Sequence, residues 1–164
     1  QARARLDVLA RTDPLTELMN RHAFAAVLED PSGSEAVHGS LAVIDLDGLK
    51  AINDSWGHHT GDQAIRAFAR ALRAKLRADD LIFRWGGDEF LAVLFGLPPA
   101  ETTARLSEIG DVLFRVDGAA PSPLSVRGSF GVAAFHSVGE LRAAAEAADA
   151  AMYQAKRGRG RAAS

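Results

Sequence analysis

The sequence predicts an α+β domain with a central, mostly antiparallel β-sheet flanked by helices, and three observations carry that expectation. Leu41-Ala42-Val43-Ile44 is a short continuous apolar run of the kind a strand buried on both faces shows. Residues 81–85 and 88–95 are two strand-like runs on either side of Gly86-Gly87, as in a β-hairpin. Between Asp62 and Arg77, the residues Ile65, Phe68, Ala69, Leu72 and Leu76 recur at helical spacing, with Arg66, Arg70 and Arg73 facing outward. Helices mixed with hairpin-connected strands give an α+β arrangement.

Taken in order, residues 1–12 read as a helical linker stub carrying Leu6 and Leu9, stopped by Asp13-Pro14 because proline disfavours helix in the residue before it. Residues 13–164 read as one domain. Asn20 is placed to cap a helix that sets Phe24, Val27 and Leu28 on one face, and Pro31-Ser32-Gly33-Ser34 is a loop. The first strand stops at Asp45-Leu46-Asp47-Gly48. In the hairpin, Gly86-Gly87 is expected to supply the positive φ angles of a two-residue turn. Pro98-Pro99 opens a helix with Leu106, Ile109 and Leu113 inward. Residues 126–135 form a strand whose Gly128 and Gly131 mark a bulge or a close backbone approach. Ser137 with Glu140 forms a capping-box pattern, followed by an apolar stripe of Leu141, Ala144, Ala145, Ala148, Met152 and Ala155. Lys156-Arg157-Gly158-Arg159-Gly160-Arg161 then reads as a basic tail.

Composition narrows the function classes. A chain of 164 residues with 48% hydrophobic and 24% charged content suits one globular domain. Nineteen Lys and Arg against 21 Asp and Glu give a net charge of -2, so no basic field points to nucleic acid. The absence of cysteine excludes disulfides and Cys-ligated zinc and fits a reducing compartment. No run reaches the roughly 18 apolar residues of a membrane span, so the domain is expected to be soluble.

The acidic residues are the chemical lead. Asp45 and Asp47 end one strand while Asp88 and Glu89 open another, so neighbouring strands can gather carboxylates at one end of a sheet. Such a cluster repels itself unless a cation intervenes, and magnesium suits oxygen ligands that also face phosphates. Glycines beside Asp88 leave room for a triphosphate, and Lys50 with the 156–161 segment supplies positive charge. Each piece also has a plain reading. Gly86-Gly87-Asp88-Glu89 alone is a solvated turn, Asp45 to Gly48 a strand exit, and the terminal arginines a solvated end. His58-His59 is a poor metal pair, since adjacent side chains rarely point at one ion.

The combination resembles the GGDEF domain family, whose name Gly86-Gly87-Asp88-Glu89-Phe90 spells out. In order with it stand Asp13-Pro14-Leu15-Thr16 and Asn20-Arg21; Asp45-Leu46-Asp47 with Lys50, Asn53 and Asp54; Gly57-His58 with Gly61-Asp62; Ser129-Phe130-Gly131-Val132; and Ala148-Asp149, Met152-Tyr153 and Ala155-Lys156. The resemblance runs from about Asp13 to the end. It implies a fold similar to the nucleotidyl cyclase and polymerase palm, which is ferredoxin-like, and condensation of two GTP into cyclic di-GMP with release of pyrophosphate.

Residue by residue, the resemblance implies that Asp45, Asp88 and the Leu46 carbonyl bind magnesium, with manganese as a substitute. Asp88 or Glu89 would assist deprotonation of the ribose 3′-hydroxyl. Asn53 and Asp62 would read guanine, whose N1 and N2 donors suit a carboxylate. Gly48, Leu49, Lys50, His58, Gly86, Gly87, Lys156 and Arg159 complete the substrate site. Turnover implies a homodimer, each copy carrying half a site, regulated by a sensory or receiver domain upstream. The implied location is cytoplasmic, whether or not the full-length protein is membrane-anchored. Arg77 and Asp80 match the family's RxxD inhibitory motif, predicting feedback by cyclic di-GMP, with Arg77 on the base and Asp80 accepting from its Watson-Crick side.

Three departures stand out. Glu17 replaces a usual glycine, Gly48-Leu49 replaces a usual aromatic pair, and the lysine-to-arginine spacing after Lys156 is one residue short, leaving Arg159 or Arg161 as the phosphate partner. A silent receptor of GTP or cyclic di-GMP is the alternative reading, with Asp45, Asp88 and Glu89 standing against it. A related cyclase with another substrate and a purely structural dimerisation domain are the remaining rivals. Asp62 argues against the first and the acidic cluster against the second.

Overall fold

The sheet is organised around β1 (Gly39–Asp47), which pairs antiparallel with β3 (Glu89–Phe95) on one side and β5 (Leu124–Phe135) on the other. Outside them, β2 (Leu81–Arg84) pairs with β3, and β4 (Val112–Phe114) pairs with the start of β5, giving the order β2-β3-β1-β5-β4. Each of these strand pairings is antiparallel, in keeping with the mostly antiparallel sheet that the sequence predicts, and an isolated bridge from Met19 to Phe83 is parallel. This computed structural model describes Ala2 and residues 10–30, 37–116 and 123–162, the last three by backbone alone. Leu6, Leu9 and most of the expected N-terminal stub, the 31–34 loop and the Arg161 side chain lie outside the described residues.

The helices are α1 (Arg21–Glu29), α2 (Leu49–Trp56), α3 (His58–Lys75), α4 (Pro99–Ser107) and α5 (Leu141–Ala162). They cover both faces of the sheet, which explains the unbroken apolar run in β1. Ala42, Ile44 and Leu46 join Phe90 and Ala92 under Phe68 and Leu72 of α3 and Leu106 of α4. Leu41 and Val43 join Leu91, Val93 and Phe83 under Phe24 of α1 and Leu141, Ala148 and Met152 of α5. Phe83 and Phe90 are fully enclosed, and each such side chain stabilises the fold by about 1.5–3 kcal/mol. The sheet is thus clamped between two cores, which holds the ends of β1, β3 and β5 in fixed register.

The glycines of β5 serve close approach. A Cβ on Gly131 would lie 2.1 Å from the Ala148 carbonyl oxygen and 2.3 Å from the Met152 nitrogen, so α5 rests directly on the strand. A Cβ on Gly128 would meet the Phe68 ring at 2.7 Å. The pairing with β1 runs without interruption from Gly39↔Phe135 to Asp47↔Arg127, so there is no bulge. Asn20 caps α1 as expected, its side chain accepting from the Ala23 amide at 3.1 Å.

Several expectations are corrected. Helix α2 was not anticipated, and α3 starts at His58, four residues before Asp62. Gly86 and Gly87 take no positive φ. The hairpin is instead closed by the Trp85 and Gly86 amides, which donate to the Glu89 carbonyl at 2.7 and 3.2 Å. Leu113 is 67% exposed and lies on β4, not inside a helix, because α4 ends at Ser107. The Ser137 side chain makes no cap; Glu140 reaches back to the His136 amide instead, at 2.7 Å. Ala155 is exposed, and residues 156–161 continue α5 rather than forming a tail. Among the described residues, no helix is long and apolar enough to cross a membrane.

Candidate active site

Two separate acidic segments meet because β1 and β3 are neighbours. Asp45 stands directly across from Glu89, and on its other side from Ser129 of β5. The Leu46 amide donates to the Asp88 carbonyl at 2.9 Å, fixing the exposed Asp88 beside the end of β1. Alternation along the strands turns Asp45 and Glu89 toward α5, the face on which Asp149 and Lys156 lie. Burial raises the pKa of Glu89, and the charges of Asp149, Asp45 and Asp88 push it the same way. Asp45 is also raised, first by burial and then by Asp88, against the opposing hydrogen bond from Lys156.

This carboxylate end suits a cation. Lys156 Nζ donates to Asp45 Oδ2 at 2.5 Å, yet Asp45 Oδ1 is buried without a hydrogen-bond partner. A buried anionic oxygen left bare is costly, and an ion or a proton donor satisfies it. Among the described residues no three His, Cys, Asp or Glu side chains converge closely enough to hold a metal unaided.

Helix α5 supplies the positive charge. Lys156 bridges Asp45 and, at 3.5 Å, Asp47; Arg159, one turn on, lies 3.7 Å from Asp47 and donates to Ser129 Oγ at 2.7 Å. Burial disfavours the charged lysine, but the bond to Asp45 and the charges of Asp45 and Asp47 together outweigh it and raise its pKa.

Across the end of β1, Gly48 adopts φ 73° and turns the chain into α2. That left-handed conformation favours glycine, which accounts for the departure at this position. No side chain caps α2, Leu49 is buried, and Lys50 is exposed in the first turn. Asn53 lies against α3: a Cβ on Gly61 would fall 1.8 Å from Asn53 Oδ1. Glycine at 61 therefore lets Asn53 settle beside Asp62, the next residue. His58, the first residue of α3, is exposed.

The Gly86-Gly87 loop is held from below. Arg84 donates to the Gly87 carbonyl at 2.9 Å and to both oxygens of Asp13 at 3.1 and 3.3 Å. Asp13 also receives the Thr16 amide and hydroxyl, at 2.9 and 2.7 Å. A Cβ on Gly87 would meet nothing within 4 Å and one on Gly86 only Glu89, so neither packing nor a positive φ requires glycine there. Open space for a bound molecule is what their small size provides. Asp13, Arg84 and Ser129 are site-supporting residues without a role in the sequence reading, and Asp47, grouped there with the carboxylates, pairs with Lys156, Arg159 and Ser129; the arginine two residues before Gly86 is the one available signal. Glu17 sits at φ 63°, a strained position where glycine would be relaxed.

Arg77 and Asp80 are brought together at the start of β2. Arg77 donates to Asp80 through its amide at 2.8 Å and its guanidinium at 2.8 and 3.2 Å, and also to the Phe95 carbonyl at 2.5 Å. The Asp80 side chain is 0% exposed, so it is not presented to a base as expected; it orients Arg77, which is 45% exposed. The bond to Asp80 raises the Arg77 pKa.

The sequence model of the family described as diguanylate cyclase, GGDEF domain, matches residues 10–162. The probable diguanylate cyclase DgcC of Escherichia coli strain K12 is 34% identical over 157 residues, covering 93% of this chain and 42% of that protein. Diguanylate cyclase DgcP of Pseudomonas aeruginosa is 39% identical over 156 residues, covering 90% of this chain and 23% of that protein. The chain therefore spans less than half the length of these curated relatives. Among solved structures, the coiled coil and GGDEF domain of DgcB from Caulobacter crescentus in complex with c-di-GMP is similar, with TM-score 0.83, 30% identity and coverage of 96% of this chain and 86% of that one.

Proposed function

The chain belongs to the GGDEF family of diguanylate cyclase domains, and from that premise we propose that it condenses two GTP into cyclic di-GMP with release of two pyrophosphates. The observation that carries this reading is the meeting of Asp45 with Glu89 across β1 and β3, with Asp88 bonded to the Leu46 backbone beside them. Asp45, Asp88 and the Leu46 carbonyl would hold a divalent cation, magnesium or in its place manganese, and the bare Asp45 oxygen supports that fit. When bound, such a cation supplies charge neutralisation for the triphosphate and lowers the pKa of an attacking hydroxyl.

The protein's own groups do the rest. Asn53 and Asp62 hydrogen-bond the guanine edge, with His58 at the mouth of the same site. Lys50, Lys156 and Arg159 bind phosphates, joined by the uncapped amides after Gly48 at the start of α2. Gly86 and Gly87 let the nucleotide lie against the backbone. Asp88 or Glu89 accepts the proton of the 3′-hydroxyl, and Glu89 is the one held opposite Asp45. The oxygen attacks the α-phosphorus of a GTP held by a second copy, the bond to the β-phosphate oxygen breaks, and pyrophosphate leaves. Repeating the step in the other direction closes the ring. Each copy thus provides half a site, and turnover requires a homodimer.

Feedback by cyclic di-GMP would act through Arg77, oriented by Asp80. A sensory or receiver domain upstream would set when two copies meet. The experiment is incubation with GTP and magnesium followed by identification of the nucleotide product. Cyclic di-GMP supports the reading; tight GTP binding with no pyrophosphate from a folded dimer would favour a silent receptor.

A further inference from the structure

Ser129 and Asp47 are assigned above to neither nucleotide nor cation, yet they anchor the polar network at this end of the sheet. Ser129 is 1% exposed, and its Oγ lies 2.8 Å from both carboxylate oxygens of Asp47. On its other side it accepts from Arg159 Nη2 at 2.7 Å. The direction of the chain of bonds is fixed, because a carboxylate and a guanidinium leave the hydroxyl one way to donate and one way to accept. Arg127 stands opposite Asp47 in the β1–β5 register and is the competing cation, but its guanidinium turns away to Asp111 at 3.5 Å. Asp47 is left to Lys156 and Arg159.

We infer that Ser129 and Asp47 are positioning residues that hold Arg159 as a clamp for the terminal phosphate, so that the site prefers a triphosphate to a diphosphate; this rests on the nucleotide site proposed above. The order along α5 carries the argument. Lys156 reaches both Asp45 and Asp47, whereas Arg159 reaches Asp47 and Ser129. A phosphate reacting at Asp45 therefore has Lys156 beside it and Arg159 about 4.5 Å farther along the helix, the rise of three residues. That offset matches the next groups of a polyphosphate. A guanidinium on a long exposed arm loses freedom when it binds an anion, and a prior bond to a buried, strand-held hydroxyl removes part of that cost. The three-residue spacing puts Lys156 and Arg159 on one helix face, which also explains how the site works with the shorter spacing.

The test is a double-mutant cycle on binding. Dissociation constants for a non-hydrolysable GTP analogue and for GDP, both with magnesium, are measured for wild type, Ser129→Ala, Arg159→Ala and the double variant. Each single change is expected to weaken the triphosphate about tenfold while leaving GDP unchanged, with the double variant no weaker than Arg159→Ala. If Ser129→Ala unfolds, Asp47→Asn takes its place in the cycle, since it keeps size and an acceptor but loses the charge. Additive losses, or equal losses for GDP and the triphosphate, overturn the inference. Wild type that prefers neither nucleotide but binds both also overturns it; wild type that binds neither removes the nucleotide site itself and the inference with it.

Discussion

Lys156 Nζ stands 2.5 Å from Asp45 Oδ2, so the carboxylate at the end of the central strand carries a counter-ion from the last helix. The other oxygen of Asp45 has no partner. Removing the lysine charge leaves a half-buried carboxylate with neither oxygen satisfied. Lys156→Met is expected to destabilise the protein by about 1–2 kcal/mol without divalent cation, less than for a fully buried pair because both groups touch solvent. Added magnesium or manganese should restore more stability to the variant than to wild type, as read by denaturant melts. Equal gains would mean the cation does not take up the role of the lysine.

Glu89 and Asp45 both have raised pKa values in the folded state, Glu89 first through burial and then through Asp149, Asp45 and Asp88. In that window the folded state binds more protons than the unfolded one, so stability falls as pH rises. For Glu89 the fall begins near its ordinary value of 4.5 and ends above the raised one. Glu89→Gln should remove part of this slope and stabilise the protein at neutral pH by a few tenths of a kcal/mol, while cyclic di-GMP synthesis is lost. A variant with an unchanged pH slope would contradict the electrostatic account of this strand end.

Gly61 makes room for Asn53, and an alanine there would place its Cβ 1.8 Å from Asn53 Oδ1. The obstacle is the end of a flexible side chain, and alanine favours the helix by about 1 kcal/mol. Gly61→Ala should therefore melt no lower than wild type yet bind GTP about tenfold more weakly, with less discrimination against ATP. Unaltered affinity and base preference would remove Asn53 from the recognition of guanine.

Arg77 provides three of the hydrogen bonds to the enclosed Asp80. Arg77→Ala keeps the backbone bond but strips the guanidinium from a buried carboxylate, which should cost about 1–3 kcal/mol in a urea melt. The same variant should lose inhibition by cyclic di-GMP in an activity titration. Sensitivity equal to wild type would confine Arg77 to a structural role.

What was legible in the sequence is what repeats or alternates. The amphipathic α3 and the doubly buried β1 announced themselves, and with β1 and β3 recognised, Asp45 and Glu89 fall at one end of a sheet. Helix α2 leaves little periodic signal, because its eight residues fully bury only Leu49, with Ile52 half-buried against the same core and the rest exposed or polar. Residues 156–161 mislead for the opposite reason: glycines and arginines look like a solvated end, but a helix anchored by Leu141, Ala148 and Met152 carries them onward. The roles of Asp47 and Ser129 depend on the register between β1 and β5, and no local pattern reports register. Asp80 could be paired with Arg77 from spacing alone, whereas its enclosure depends on the packing around it.

The most direct test of a GTP-condensing half-site is to follow pyrophosphate and cyclic di-GMP together while the protein concentration is varied at saturating GTP and magnesium. The account predicts two pyrophosphates for each cyclic di-GMP, with activity per molecule rising with concentration until the dimer saturates. Pyrophosphate released without cyclic di-GMP, or no turnover at any concentration from folded protein that binds GTP, would contradict it.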